Sequence, residues 1–146
     1  MTKTIYEKLQ KYNKTKESKK IRLCNSKEVF NYIKSEFKGL NKEIVFFIGV
    51  DSKNQVKYKK LMFTGSLNYS IIEIRDLIKE CLLNDLSGFF LSHNHPSGDL
   101  QSSEKDLNIT TQIKKACDIM KIKFLDHLII NYEEDDFYSL FDNDKL

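Results

Sequence analysis

The chain alternates between short, continuous apolar runs and longer stretches in which apolar residues recur every three or four positions. The first pattern is typical of buried strands and the second of amphipathic helices. The clearest run covers residues 43–50, EIVFFIGV, which is rich in β-branched and aromatic residues and is followed by the turn cluster DSKN. We therefore predict a central strand at 43–50, with residues 56–63 as its hairpin partner.

Further strands and helices complete the predicted pattern. Short apolar runs predict strands at 88–92, 123–130 and 137–141. Helical spacing extends from Ser26 to Phe37 and also begins at Ser70 and at Ser103. The last two helices start with a serine that is followed three residues later by an acid, which is the spacing of a capping box. The pattern predicts an α/β (α+β) protein with helices packed on a mixed sheet.

Composition narrows the class of protein. With 146 residues, of which 40% are hydrophobic and 12% aromatic, the chain has the size and content of one globular domain. No apolar run approaches the roughly 20 residues that span a bilayer, and no apolar signal segment is visible, so we expect a cytoplasmic protein without a membrane partner. The cysteines Cys24, Cys81 and Cys117 are widely spaced, which argues against a disulfide framework and against a zinc ribbon.

Positive charge is concentrated at the N-terminus. Residues 1–20 contain seven lysines and two glutamates, whereas the whole chain has a net charge of +3. We predict a lysine-rich flexible extension at 1–20 and a folded domain at 21–146. Such an arm can bind DNA phosphates through counterion release, but most lysine-rich tails are simply solvated, and no aromatic-interleaved basic motif accompanies this one.

The residues that could carry a catalytic function lie between the end of the third predicted strand and the first turn of the last predicted helix. His93 and His95 project to the same side of an extended segment, and Pro96 keeps His95 extended because the α region clashes with the proline ring. Asp106 follows at the start of the helix. Two imidazoles and one carboxylate leave a fourth position open, which is the pattern of a catalytic zinc. Helix capping alone can explain Ser103 and Asp106, but it does not account for the histidines.

The spacing of these residues resembles that of a known family. His93-x-His95, seven residues, Ser103, two residues and Asp106 reproduce the His-x-His-x7-Ser-x2-Asp signature of JAMM metalloproteins. The flanking sequences resemble the RadC branch of that family: HNHPSG at 93–98, FTGSLN at 63–68 and LDHLII at 125–130. The resemblance implies a JAMM or cytidine-deaminase-like mixed sheet, with a RadC-like JAMM domain at 21–146.

The resemblance also implies roles for individual residues. His93, His95 and Asp106 would hold one zinc ion (Zn2+) per chain. Glu43 would act as the general base, and Ser103 would stabilise the oxyanion on the attacked carbonyl. Taken without the resemblance, Glu43 is more simply explained as a solvated acid at the edge of a strand.

Other polar residues have simpler explanations. The capping box accounts for Glu73. His127 lies in an apolar strand, where we expect a hydrogen-bonded core histidine or one that supports a metal ligand. Asp126 can orient a ligand histidine, and neither Asp126 nor His127 is assigned a catalytic role.

The function implied by the resemblance is that of a zinc metallopeptidase of the JAMM type, a hydrolase of peptide or isopeptide bonds in a peptide or protein substrate. The alternative is a nucleic-acid-binding protein associated with DNA repair, which would use residues 1–20 and a structural or nucleolytic metal site. Two-metal nucleases need several bridging carboxylates, and the ligand set contains one, so nuclease chemistry is the weaker hypothesis. The sequence predicts neither the substrate nor the oligomeric state.

Overall fold

The computed structural model describes residues 14–16, 20–64 and 73–146, which fold around one six-stranded sheet. The strands are β1 (Lys14–Lys16), β2 (Ile44–Val50), β3 (Val56–Thr64), β4 (Gly88–His93), β5 (Lys123–Asn131) and β6 (Asp136–Ser139). Their order across the sheet is β1-β3-β2-β4-β5-β6. β4 and β5 run parallel and the other neighbouring pairs are antiparallel, so β2 and β4 form the middle of a mixed sheet.

The α-helices of the described residues are α1 (Ser26–Ile33), α2 (Ile74–Leu83) and α3 (Glu104–Met120). α1 begins where the Asn25 side chain accepts a hydrogen bond from the Glu28 N–H at 2.9 Å, and it continues into a 3₁₀ turn at Lys34–Phe37. Among the described residues, no helix combines the length and the apolar content needed to cross a membrane.

β2 is buried along its whole length, which explains its continuous apolar sequence. Val45 and Phe47 pack in one core with residues of α2 and α3. Phe46 and Ile48 pack in a second core with residues of α1. Because side chains alternate between the two faces of a sheet, the central strand is covered by helices on both sides.

The predicted fold class is confirmed, and each predicted strand and helix has a counterpart in the structure. The boundaries differ at two helices and at the last strand, which is predicted to end at Phe141 and ends at Ser139. The helix predicted up to Phe37 ends as an α-helix at Ile33, because its last turn is 3₁₀. Glu73 is the residue before α2 and its side chain makes no capping bond to that helix, while its predicted partner Ser70 lies outside the described residues.

The sequence does not predict β1, which lies inside the segment predicted as a flexible extension. The backbone of Lys14–Lys16 pairs antiparallel with β3 at residues 58–60. The edge of β3 offers a row of backbone N–H and C=O groups, and these can bind a segment that carries no apolar pattern. Most of the predicted extension at 1–20 lies outside the described residues, so its flexibility stays a prediction.

Strand register brings distant parts of the sequence to one end of the sheet. Val45 of β2 lies opposite His93 of β4, so the start of β2 is next to the loop that leaves β4. On its other side, β4 pairs with β5, where His127 is the neighbour of Leu91. Glu43 therefore lies beside His93 at the end of the central strands, and His127 approaches from the other side of β4.

Candidate metal centre

A tight turn after β4 orients His95. The Gly98 N–H donates to the His95 C=O at 2.8 Å, and Gly98 adopts the positive φ of +79° that glycine tolerates best. The turn brings the backbone carbonyl of Asp99 to 2.7 Å from Nδ1 of His95. Because a carbonyl oxygen can only accept, Nδ1 of His95 is the donor, and a neutral His95 presents an unprotonated Nε2.

The start of α3 orients Asp106. Ser103 is the N-cap residue of the helix, and its Oγ accepts a hydrogen bond from the Asp106 N–H at 3.0 Å. In return, the Ser103 N–H donates to Oδ2 of Asp106 at 2.8 Å, which completes a capping box. The capping box predicted from the sequence is therefore present, and it holds the carboxylate against the two histidines.

Three potential ligand side chains converge at this point. The two Nε2 atoms of His93 and His95 are 3.2 Å apart, and the Asp106 carboxylate places Oδ1 3.2 Å from Nε2 of His93 and Oδ2 3.1 Å from Nε2 of His95. The side chains of His93 and Asp106 are fully buried, whereas that of His95 is 17% exposed. A tetrahedral zinc with bonds of about 2.0–2.1 Å has its ligand atoms about 3.3–3.4 Å apart, so the spacing fits three zinc ligands with one position open.

The electrostatics of the cluster also favour a cation. Burial, followed by the neighbouring histidines, lowers the pKa of His93 well below its usual range, so this imidazole is neutral. Burial raises the pKa of Asp106, and the hydrogen bond from Ser103 opposes that shift. Two imidazole nitrogens that point at a buried carboxylate need a proton or a metal ion between them, and a divalent metal satisfies all three groups at once.

Glu43 lies just before β2 and beside the histidines. One ligand atom each from Glu43, His93 and His95 lie within 4.8 Å of one another, so Glu43 is close enough to reach a metal ion or a water beside it. Glu43 is only 9% exposed, and it lines an open cleft of about 450 Å³ together with His95 and Ser103. Asp99 and Ser97 line the same cleft. All five predicted site residues are thus brought together.

Asn94, which sequence reasoning did not single out, fixes the backbone around Glu43. Its Oδ1 accepts from the Ile44 N–H at 2.8 Å and its Nδ2 donates to the Lys42 C=O at 3.0 Å. The residue between the two candidate ligand histidines therefore holds the peptide groups on both sides of Glu43. Its position within His-Asn-His was the available signal, but its partners depend on the pairing of β2 with β4.

His127 and Asp126 point to opposite sides of β5. Nε2 of His127 is 2.8 Å from Nδ1 of His93, and its own Nδ1 is 2.7 Å from Oγ1 of Thr110. Asp126 does not contact a ligand histidine: its carboxylate accepts from Ser139 Oγ at 2.6 Å and from the Phe141 N–H at 3.1 Å. The expectation that Asp126 orients a metal ligand is therefore wrong, because alternation along the strand turns it toward the C-terminal segment.

The protein is thus a mixed-sheet domain with a candidate metal site at the end of its central strands. The profile of the RadC-like JAB domain matches residues 23–146. This chain belongs to the RadC-like JAB domain family.

Three relatives of this chain are named UPF0758 proteins. One from Clostridium perfringens is 36% identical over 138 residues, which cover 94% of this chain and 60% of that protein. One from Chlorobaculum tepidum is 32% identical and covers 84% of this chain and 54% of its own length. One from Clostridium botulinum is 40% identical over 75% of this chain and 48% of its own length. The chain therefore spans about half to three fifths of the length of these relatives.

Proposed function

We propose that this protein is a zinc-dependent hydrolase that cleaves peptide or isopeptide bonds. The observation that carries the proposal is the cluster of His93, His95 and Asp106 beside an open cleft, in which the histidine nitrogens are 3.2 Å apart and each has a carboxylate oxygen of Asp106 within 3.2 Å. Membership of the RadC-like JAB domain family supports it. In such a site a bound zinc supplies Lewis acidity, which polarises a carbonyl and lowers the pKa of a water toward about 7.

Glu43 is the proposed general base. Its carboxylate lies at the cleft, close to the histidine pair, where it can take a proton from the attacking water. The same carboxylic acid can then return the proton to the departing amine, so that one group serves both halves of the hydrolysis. The hydrogen bonds between Asn94 and the two flanking peptide groups fix the backbone from which the Glu43 side chain extends.

Ser103 is proposed to stabilise the oxyanion that develops on the attacked carbonyl. Its Oγ uses a lone pair to accept from the Asp106 N–H, which leaves its own hydroxyl proton to be donated. Ser103 also lines the cleft. A donor that is already fixed by a helix cap is preorganised for this role, because little reorientation is needed when charge develops.

The substitution Glu43→Gln tests this assignment. We expect the variant to bind about one zinc per chain, as the wild type does, while hydrolysis of a fluorogenic peptide library and of lysine isopeptides is lost. Glu28→Gln, an exposed residue on α1, is the matched control and is expected to retain both properties. Loss of zinc from Glu43→Gln, measured by elemental analysis, would instead make Glu43 a ligand. A wild type without zinc would refute the proposed function.

Binding of DNA through residues 1–20 is the alternative proposal, and it rests on lysine content alone. If it holds, binding weakens steeply with salt and disappears when residues 1–20 are deleted. The deletion is expected to leave the proposed hydrolase unaffected, since the metal cluster and its cleft are formed by residues 43–106.

A further inference from the structure

A line of buried polar side chains leads from the metal centre into the interior of the protein. Nδ1 of His93 lies 2.8 Å from Nε2 of His127, and Nδ1 of His127 lies 2.7 Å from Oγ1 of Thr110. His93 and Thr110 are 0% exposed and His127 is 1% exposed. The three side chains come from β4, β5 and α3, so the line crosses from the sheet to the helix that carries Asp106.

We propose that His127 is a positioning residue for the metal centre: it accepts a hydrogen bond from Nδ1 of His93 and so leaves Nε2 of His93 unprotonated and aimed at the metal. The inference rests on the proposed zinc site and deepens it. A neutral histidine carries one ring proton, and the nitrogen that does not carry it is the one that can ligate. Fixing the proton on Nδ1 therefore decides whether His93 can bind zinc at all.

The direction of the hydrogen bonds follows from this requirement. If His93 donates from Nδ1, then Nε2 of His127 accepts, and the ring proton of His127 is on Nδ1. That proton is then donated to Oγ1 of Thr110, since 2.7 Å is a hydrogen-bonding distance. The Thr110 hydroxyl can accept it, because a threonine in a helix can turn its own proton to the carbonyl one turn earlier. The opposite direction would protonate Nε2 of His93 and block it as a ligand.

An imidazole suits this position better than a second carboxylate. Metal-bound histidines usually donate to a carboxylate or to a backbone carbonyl, and either partner fixes the ring. The centre already contains the buried carboxylate of Asp106, with Glu43 close by, and a further negative charge would be costly to bury. An imidazole that accepts the bond from His93 is in its neutral form, so this partner adds no charge to the centre.

Zinc affinity, measured by competition with a chromophoric chelator, tests the role of His127. We expect His127→Leu to weaken zinc binding by about 10–100-fold, as is usual when the partner of a metal ligand is removed. His127→Gln, whose side-chain oxygen can accept the same bond, is expected to lose less. Thr110→Val is expected to weaken zinc binding about tenfold. Thr110→Ser keeps the hydroxyl and is expected to bind zinc as the wild type does.

The control for general destabilisation is Ser139→Ala. It removes another buried hydroxyl from the sheet, the one that donates to Asp126, and it is expected to leave zinc affinity unchanged. Equal zinc affinities for the wild type, His127→Leu and Thr110→Val would overturn the inference. Equal losses in His127→Leu and Ser139→Ala would also overturn it, since the effect would then come from lost stability.

Nitrogen-15 NMR of the zinc-loaded wild type gives a readout that a merely structural role would not produce. We expect a proton on Nδ1 of His93, a proton on Nδ1 of His127, and a scalar coupling between Nδ1 of His93 and Nε2 of His127 across the hydrogen bond. A proton on Nε2 of His127 would overturn the inference while leaving the hydrolase intact. Conversely, normal zinc binding and the expected couplings without any hydrolysis would refute the proposed function and leave the inference standing.

Discussion

The N-terminus of α3 shows how one local geometry can serve two purposes at the scale of single residues. Ser103 and Asp106 exchange hydrogen bonds between side chain and backbone at 3.0 and 2.8 Å, which caps the helix. The second of these bonds, from the Ser103 N–H to Oδ2, also keeps the Asp106 carboxylate beside His93 and His95. Helix capping and metal binding, which compete as explanations of the sequence, are therefore compatible in the structure.

Ser103 can be tested for both of its roles by removing its hydroxyl. Ser103→Ala is expected to lower the free energy of unfolding by about 0.5–2 kcal/mol, because the Asp106 N–H loses its cap. If the hydroxyl also stabilises the oxyanion, kcat falls by about 10²–10³-fold. Ser103→Thr keeps a hydroxyl and is expected to retain most of both properties. Urea unfolding and steady-state kinetics measure them, and a loss of stability with unchanged kcat would restrict Ser103 to capping.

At the scale of elements, β5 carries two buried titratable groups, Asp126 and His127. The pKa of one is raised and that of the other is lowered, so a fall in pH changes the stability of the fold in opposite directions through the two groups. Burial, opposed by hydrogen bonds from Ser139 and Phe141, raises the pKa of Asp126 to about 6 from its ordinary 3.8. Burial lowers the pKa of His127 to about 3 from 6.5. Between pH 4 and 6 Asp126 is protonated in the folded state and ionised in the unfolded chain. Between pH 6.5 and 3 His127 is protonated in the unfolded chain and neutral in the folded state.

These two shifts make opposite contributions to the pH dependence of stability. Acidification from about pH 6.5 toward 3 destabilises the fold, because the unfolded chain takes up a proton on His127. Between about pH 6 and 4 Asp126 offsets part of that loss. Each group changes the free energy of unfolding by up to about 1.4 kcal/mol per pH unit. In metal-free protein, Asp126→Asn is therefore expected to lose stability more steeply than the wild type between pH 6 and 4. Urea unfolding at a series of pH values measures this. Asp144→Asn, an exposed control, is expected to follow the wild type, and parallel curves for Asp126→Asn and wild type would contradict the assignment.

At the scale of the whole molecule, the sequence predicts the features that produce a recognisable pattern in neighbouring residues. β2 is recognisable because both of its faces are buried, and the candidate ligand set is recognisable because His93, His95 and Asp106 lie on a strand end, a turn and a helix start. The local sequence does not identify the partners of Asn94 and His127. They depend on which strands are neighbours and in what register, and these are properties of residues far apart in the chain.

Zinc binding is expected to stabilise the whole domain, because its ligands join the end of β4 to the start of α3. A ligand that binds only the folded state adds about 2.7 kcal/mol to the free energy of unfolding when its free concentration is 100 times Kd. Wild type should therefore unfold at higher urea concentration with zinc than with a chelator. His95→Ala is the informative variant, because the side chain of His95 is partly exposed and its loss should spare the core. We expect its stability to be independent of zinc. A wild type that gains nothing from zinc would show that the cluster does not bind the ion in the folded state, whatever the geometry allows.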